Sequence, residues 1–206
     1  MNDNTHMLPP ATRNNRGRDR VPRAEPTGRL RIVGGTLRGS RLDVPAAPGL
    51  RPTPDRVRET LFNWLAPFIQ GASCLDLYAG TGALGIEALS RGAAQVDFVE
   101  TDTRLATLLR ENLLRLKQTA TVQRSDALQF LAANSTRYDI VFLDPPFTAG
   151  LWTEVASALE ARDRLQPGAL IYVESPAQEI PPMPSNWALH REGRAGAVRY
   201  ALYRRV

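Results

Sequence analysis

The chain has 206 residues, with 26 Lys or Arg against 21 Asp or Glu and an ordinary apolar fraction of 43%. That length suits one domain with a full core; no apolar run approaches the roughly 18 residues of a membrane span, and the polar, Arg-rich N-terminus lacks the apolar segment of a secretory signal. The single cysteine, Cys74, excludes an internal disulfide framework and offers no metal-ligand spacing, so a buried thiol, no metal and a cytoplasmic location are expected.

The net charge of +5 is unevenly spread. Residues 1–30 hold six Arg against Asp3, Asp19 and Glu25, while the remainder carries 20 basic and 18 acidic residues. Residues 1–28, rich in Asn, Pro and Arg, read as a disordered basic leader. It is either a solvated tail or an arm that attracts nucleic-acid phosphates. Residues 29–206 follow as a single domain, and a monomer is expected.

From Leu30 to Val44, RIV and SRLDV flank Gly34, Gly35 and Gly39, which predicts a short irregular hairpin. A loop, PAAPGLRPTP, leads to a helix with Thr53 as N-cap, Pro54 at its first position and Asp55 in its first turn. Val57, Leu61, Trp64, Leu65 and Phe68 fall at helical spacing, so this helix buries one face and ends near Pro67 or Gly71. Residues 29–71 thus precede the main pattern and form an entrance to the site.

From Ser73 the pattern alternates. SCLDLYA reads as a strand and Ala83 to Ser90 as a helix; QVDFVE and TRLATLLRENLLRLKQ form the next pair. TVQRSD with ALQFLAAN, then YDIVFLD with a helix around Leu151 to Ala161, continue it, and GALIYVES is the fifth strand. Strands separated by helices of this length argue for a parallel sheet covered on both faces. WALHREGR and AVRYALYRR instead alternate at period two around Ala195-Gly196, an antiparallel hairpin. The fold class is therefore α/β, a Rossmann-like, mostly parallel sheet ending in an antiparallel terminal hairpin.

Such sheets bind ligands beyond the carboxyl ends of their strands. In LDLYAGTGALG, Gly80, Gly82 and Gly85 fit G-x-G-x-x-G, which lets the backbone turn tightly and approach a ligand. Glu100 ends the second strand, where a carboxylate accepts from ribose hydroxyls. Asp76, inside the first strand, suits a cation such as the amino group of S-adenosylmethionine and would repel a pyrophosphate. Asp126 is placed to accept from an adenine amine and equally to cap the helix ALQFLAAN. Tyr78 and Ala127 adjoin these positions and complete the expected cofactor set with Arg51 and Thr53 at the entrance.

Asp144-Pro145-Pro146-Phe147 ends the fourth strand, which neighbours the first in this topology. An exocyclic amine on a nucleobase is a poor nucleophile because its lone pair is delocalised. Hydrogen bonds from that amine to Asp144 and the Pro145 carbonyl draw the nitrogen toward tetrahedral geometry and stabilise its developing charge. Pro146 stiffens the corner, and Phe147 offers a face on which the base stacks.

These stretches, LDLYAGTGALGIEALSRGA, FVE, SDAL and FLDPPF, resemble the class I S-adenosylmethionine-dependent methyltransferases, and the DPPF corner is similar to that of their amino-group branch. Upstream, RIVGGTLRGSRL and LRPTPDRVRETLFNWL resemble the RsmD family, 16S rRNA guanine-N2 methyltransferases. That resemblance runs from about Arg29 to Val206. It implies methylation of one guanine, guanine 966, on an assembled or assembling small ribosomal subunit. It also implies that Asp144, Pro145 and Phe147 hold the amine, and that Gly80, Gly82, Glu100 and Asp126 line the cofactor pocket.

Seven arginines, Arg29, Arg31, Arg38, Arg41, Arg51, Arg56 and Arg58, fall within 30 residues that contain only Asp43 and Asp55 as acids. Neutralising phosphates is one use of such a cluster, and Arg38, Arg41, Arg56 and Arg58 are the expected RNA contacts. Arg51 is expected to pair with the carboxylate of the cofactor's methionine end. Competing readings are N6-adenine or other amino-group methylation of nucleic acid, a nicotinamide-dependent oxidoreductase, and an RNA-binding module without catalysis. The oxidoreductase reading leaves the DPPF corner and the basic entrance unexplained.

Overall fold

A computed structural model describes residues 26–45 and 53–206. Most of the basic leader and the loop 46–52, which includes Arg51, lie outside the described residues. Strands β1 (Pro26–Arg31) and β2 (Arg41–Pro45) pair antiparallel, Arg31 opposite Arg41, as the hairpin pattern anticipates. Helix α1 (Asp55–Leu65) follows, then β3 (Ser73–Asp76), α2 (Ala83–Ser90), β4 (Gln95–Glu100), α3 (Thr103–Arg115), β5 (Thr121–Arg124) and α4 (Ala127–Ala133). The chain continues through β6 (Tyr138–Leu143), a short 3-10 turn at Phe147–Ala149, α5 (Trp152–Ala161), β7 (Leu165–Pro176), β8 (Trp187–Ala195) and β9 (Val198–Arg205).

Seven of these strands form one sheet in the order β5-β4-β3-β6-β7-β9-β8. The first five run parallel, and β9 inserts antiparallel between β7 and β8. This is a Rossmann-like sheet with an antiparallel terminal hairpin. The chain reverses direction across the sheet at β3, whose neighbours are β4 on one side and β6 on the other, so a crevice opens above its carboxyl end. Among the described residues no helix is long and apolar enough to cross a membrane.

Period-two alternation assigns the sheet's side chains to two cores. Cys74, Phe98, Ile140, Phe142, Leu170 and Tyr172 lie on one face with Leu61 and Phe62 of α1, Ile86 of α2 and Leu109 of α3. Leu75, Val99, Val141, Leu143, Ile171 and Val173 lie on the other with Phe130 of α4 and Val155 of α5. Both faces of each central strand are therefore apolar, as a parallel sheet requires. Full burial of a side chain such as Leu61 or Phe62 contributes about 1.5–3 kcal/mol.

The small hairpin is not a loose appendage. Its connecting loop is clasped by the second half of α2, where the Glu87 carboxylate accepts from Val33 N–H and Gly34 N–H, each at 2.8 Å. Ser90 adds its hydroxyl as acceptor for Leu37 N–H at 2.9 Å and its carbonyl for Thr36 N–H at 2.8 Å. Gly35 has φ of +74°, and a Cβ there would meet the Ser90 carbonyl oxygen at 1.8 Å. Only glycine fits that approach.

Two expectations about α1 change. Thr53 does not cap the helix: Pro54 stands at the N-cap without a side-chain bond, and the Thr53 hydroxyl is turned to the sheet. Arg58 is fully buried and cannot meet a phosphate. It donates to the Thr53 carbonyl at 3.2 Å, the Arg31 carbonyl at 2.7 Å and Asp55 Oδ1 at 2.5 Å, and stands 3.8 Å from Glu87. The positively charged fork joins α1, the hairpin and α2, and the carbonyls and carboxylates around it supply the acceptors that a buried guanidinium requires.

Candidate active site

The crevice is floored by the ends of β3, β6 and β7. Asp76 closes β3, Asp144 directly follows β6, and Glu174 lies in β7. The pairings Asp76 with Phe142 and Leu143 with Val173 place the three acids at adjoining positions on neighbouring strands. Each continues the alternation of Cys74, Phe142 and Tyr172, so all three belong to the face covered by α1, α2 and α3.

Burial dominates their electrostatics. The Asp76 carboxyl is pushed up to about 7, chiefly by burial; the Gly85 N–H, donated to Asp76 Oδ2 at 3.0 Å, works against that shift, and the Glu100 charge adds to it. Asp144 is raised well above the ordinary carboxylate range, first by burial and then by the charges of Glu174 and Asp76. Glu174 is raised by burial, opposed by hydrogen bonds from the Tyr172 and Thr53 hydroxyls. Three acids sharing a poorly solvated floor disfavour their own charge and favour an incoming cation.

The Gly-rich loop leads from β3 into α2. Gly82 has φ of +79°, the left-handed region, and serves as the N-cap of α2. The loop is fastened to the next strand: Gly80 N–H donates to Glu100 Oε2 at 2.8 Å, and Glu100 Oε1 accepts from Asp102 N–H, also at 2.8 Å. Oε1 also accepts from the Thr101 hydroxyl at 3.4 Å, whereas Oε2 retains a lone pair for another donor. Asp126 caps α4 through Oδ1, which accepts from Leu128 N–H at 2.9 Å and Gln129 N–H at 3.3 Å, and it is exposed. Ala127 behind it is buried. Tyr78 is half-buried, and its hydroxyl is enclosed without a hydrogen-bond partner. Burial, with Asp126 and Glu154 nearby, pushes that hydroxyl upward in pKa. An orphaned hydroxyl beside a glycine cradle is an arrangement that a polar ligand completes.

At the corner, Pro145 is buried, Pro146 is exposed, and Phe147 is half-buried with its ring 6.0 Å from Trp152. Trp152 is itself buried and donates Nε1–H to the Glu174 carbonyl at 2.7 Å, so the ring that backs Phe147 is pinned to β7. Part of the Phe147 ring remains open to a planar partner.

The structure brings together Asp76, Tyr78, Gly80, Gly82, Glu100 and Asp126 along the carboxyl ends of β3, β4 and β5, and sets Asp144 to Phe147 beside them at the end of β6. Thr53 reaches the same floor from just before α1. Arg38, Arg41 and Arg56 are exposed, whereas Arg58 is not. Sequence reasoning missed Glu174 and Glu87. An acid within the apolar strand ALIYVES, at the same parity as Tyr172, was the signal for the first. For the second it was an acid inside an otherwise apolar helix.

The profile of the family described as Conserved hypothetical protein 95 matches residues 30–204. Over 186 residues the chain is 53% identical to the Escherichia coli K12 protein named Ribosomal RNA small subunit methyltransferase D, covering 89% of this chain and 94% of that one. It is 46% identical over 181 residues to the Haemophilus influenzae protein of the same name, covering 85% and 94%. A solved Escherichia coli structure described as a putative methyltransferase matches with a TM-score of 0.80 at 51% identity, covering 86% of this chain and 98% of that one.

Proposed function

Because this chain belongs to the family described as Conserved hypothetical protein 95, the RsmD family, we propose that it is an rRNA methyltransferase that acts on the exocyclic N2 amine of a guanine in the small ribosomal subunit. The donor in this reading is S-adenosyl-L-methionine, which supplies a methyl group activated by the sulfonium charge. The observation that carries the reading is the row of poorly solvated carboxylates at the carboxyl ends of β3, β6 and β7, with Asp76 and Glu174 buried and Asp144 half-buried, next to a glycine cradle and an open aromatic ring.

Asp76, Tyr78, Gly80, Gly82, Glu100, Asp126 and Ala127 hold the donor. Glu100 keeps its lone pairs directed past the Gly-rich loop to ribose hydroxyls, and Asp126 offers its second oxygen to the adenine amine. The Tyr78 hydroxyl finds there the partner it lacks within the protein. Arg51, outside the described residues, is assigned the donor's carboxylate at the entrance.

Asp144 and the Pro145 carbonyl accept the two N–H bonds of the guanine amine, while Phe147 stacks on the base. A carboxylate in this poorly solvated position is worth more to a developing positive charge than one in water. Holding the nitrogen in line with the methyl group supplies most of the remaining acceleration. Arg38, Arg41 and Arg56 neutralise phosphates of the rRNA around the target. The protein acts in the cytoplasm as a monomer.

The test is transfer of labelled methyl from S-adenosyl-L-methionine to small subunits from a strain lacking the enzyme. Incorporation into one guanine is expected, and calorimetry should show binding of S-adenosyl-L-methionine and none of NAD. Binding of NAD, or label in adenine, would replace this reading with one of its competitors.

A further inference from the structure

Glu174 is a buried acid that the transfer described above does not use. Its carboxylate is almost fully enclosed, 5% exposed, and the ion pairs among the described residues do not include it. Burying a carboxylate without a cation is costly, so a strand that keeps one near its carboxyl end requires an explanation.

Its contacts are specific. The Thr53 hydroxyl donates to Glu174 Oε1 at 2.8 Å, across 121 residues of chain, and Tyr172 Oη–H donates to the same oxygen at 2.8 Å. The backbone is pinned as well, since Trp152 Nε1–H donates to the Glu174 carbonyl. Thr53 is the first described residue after the loop 46–52 and is only 6% exposed. Its carbonyl is held in turn by Arg58, the buried fork that ties α1 to the hairpin and α2. One side of this chain of contacts therefore reaches the basic hairpin, and the other reaches the strand position beside Asp144.

We propose that Glu174 is a positioning residue for methyl transfer: by accepting the Thr53 hydroxyl beside Asp144, it holds the entrance segment and the amine-binding corner as one rigid piece. This rests on the methyltransferase reading. Both donors end on Oε1, so the role belongs to an acceptor oxygen at that point, and an amide oxygen in its place serves equally. The same two bonds explain how a carboxyl group without a cation is tolerated there.

The test compares wild type with Thr53→Val, Thr53→Ser, Glu174→Ala, Glu174→Gln and the Thr53→Val/Glu174→Ala double variant. Turnover is measured on small subunits that lack the methyl group, and thermal unfolding and S-adenosyl-L-methionine affinity are recorded for each. Thr53→Val and Glu174→Ala are each expected to lower kcat by about tenfold or more, as small misplacements of reacting groups do. Donor affinity should change far less than kcat, and the double variant should be no worse than the poorer single one. Thr53→Ser and Glu174→Gln should recover most of the loss.

Wild-type kcat per folded molecule in Thr53→Val, whatever its melting temperature, overturns the proposal. So do additive losses in the double variant, or a Glu174→Gln enzyme as impaired as Glu174→Ala. If Glu174→Ala does not fold, the valine, serine and glutamine variants decide the matter. Failure of the wild type itself to methylate small subunits overturns the functional reading, and this inference with it.

Discussion

Replacing Asp144 with alanine removes the acceptor on which the proposed amine activation rests, and the structure bounds what that removal does. Asp144 lies on a floor shared with Asp76 and Glu174, and burial raises its carboxyl well above the ordinary range. In such surroundings, deleting one group aimed at a developing charge lowers turnover by about 10²–10³, or roughly 3–4 kcal/mol. Only the ionised form can help a nitrogen that becomes positive. Its fraction grows as pH rises through the elevated value, so the ratio of wild-type to variant activity should increase with pH. The variant should also be as stable as wild type or more so, because it no longer holds a poorly solvated carboxyl group beside two other acids. The assay is the initial rate of labelled methyl transfer to deficient small subunits across the pH range in which the protein stays folded, with melting curves alongside. A ratio below about tenfold at every pH, or one that does not vary with pH, would refute the reasoning.

Asp76 supplies a stability test. Its carboxyl sits at about 7 in the folded protein against an ordinary 3.8, so the folded state binds the extra proton. Stability is then full below the unfolded value and declines as pH rises toward about 7, by an amount on the order of a few kcal/mol. Urea unfolding of Asp76→Asn should show a flatter pH dependence than wild type; parallel curves would contradict this. Arg58→Ala should lower unfolding free energy by about 3–5 kcal/mol, since it strips a fully buried ion from Glu87 and from two carbonyls. A loss under about 1 kcal/mol in urea would show the network to be dispensable. Arg38→Gln and Arg41→Gln should each flatten the salt dependence of RNA binding by about 0.7–0.9 in log–log slope, which an unchanged filter-binding slope would deny.

Much of the sheet was legible from local pattern. Helix α2 and strand β4 begin and end where the alternation of apolar residues places them, at Ala83–Ser90 and Gln95–Glu100. The adjacency of the strand ends carrying Asp76 and Asp144 followed from the topology that those elements imply. What escaped the sequence was set by long-range packing. Thr53 has the chemistry of an N-cap, but a buried carboxylate 121 residues away offers its hydroxyl a stronger partner. Arg58 stands among arginines that face water, yet its position beside Val57, Leu61 and Phe62 puts it on the buried stripe of α1. Glu87 is likewise an acid on an apolar helix whose partners come from another segment. For Arg58 and Glu87 a polar residue on an apolar face was the available sign, and in all three cases only the folded chain names the partner.

If the carboxylate floor and the DPPF corner deliver a methyl group to one guanine amine of the small subunit, a single modified nucleoside must result. Small subunits from a strain lacking the enzyme, incubated with the protein and isotopically labelled S-adenosyl-L-methionine, can be digested and mapped by mass. A single labelled nucleoside, N2-methylguanosine, is expected, present with wild type and nearly absent with Asp144→Ala. Label on adenine or cytosine, or equal labelling by the Asp144→Ala enzyme, would contradict it.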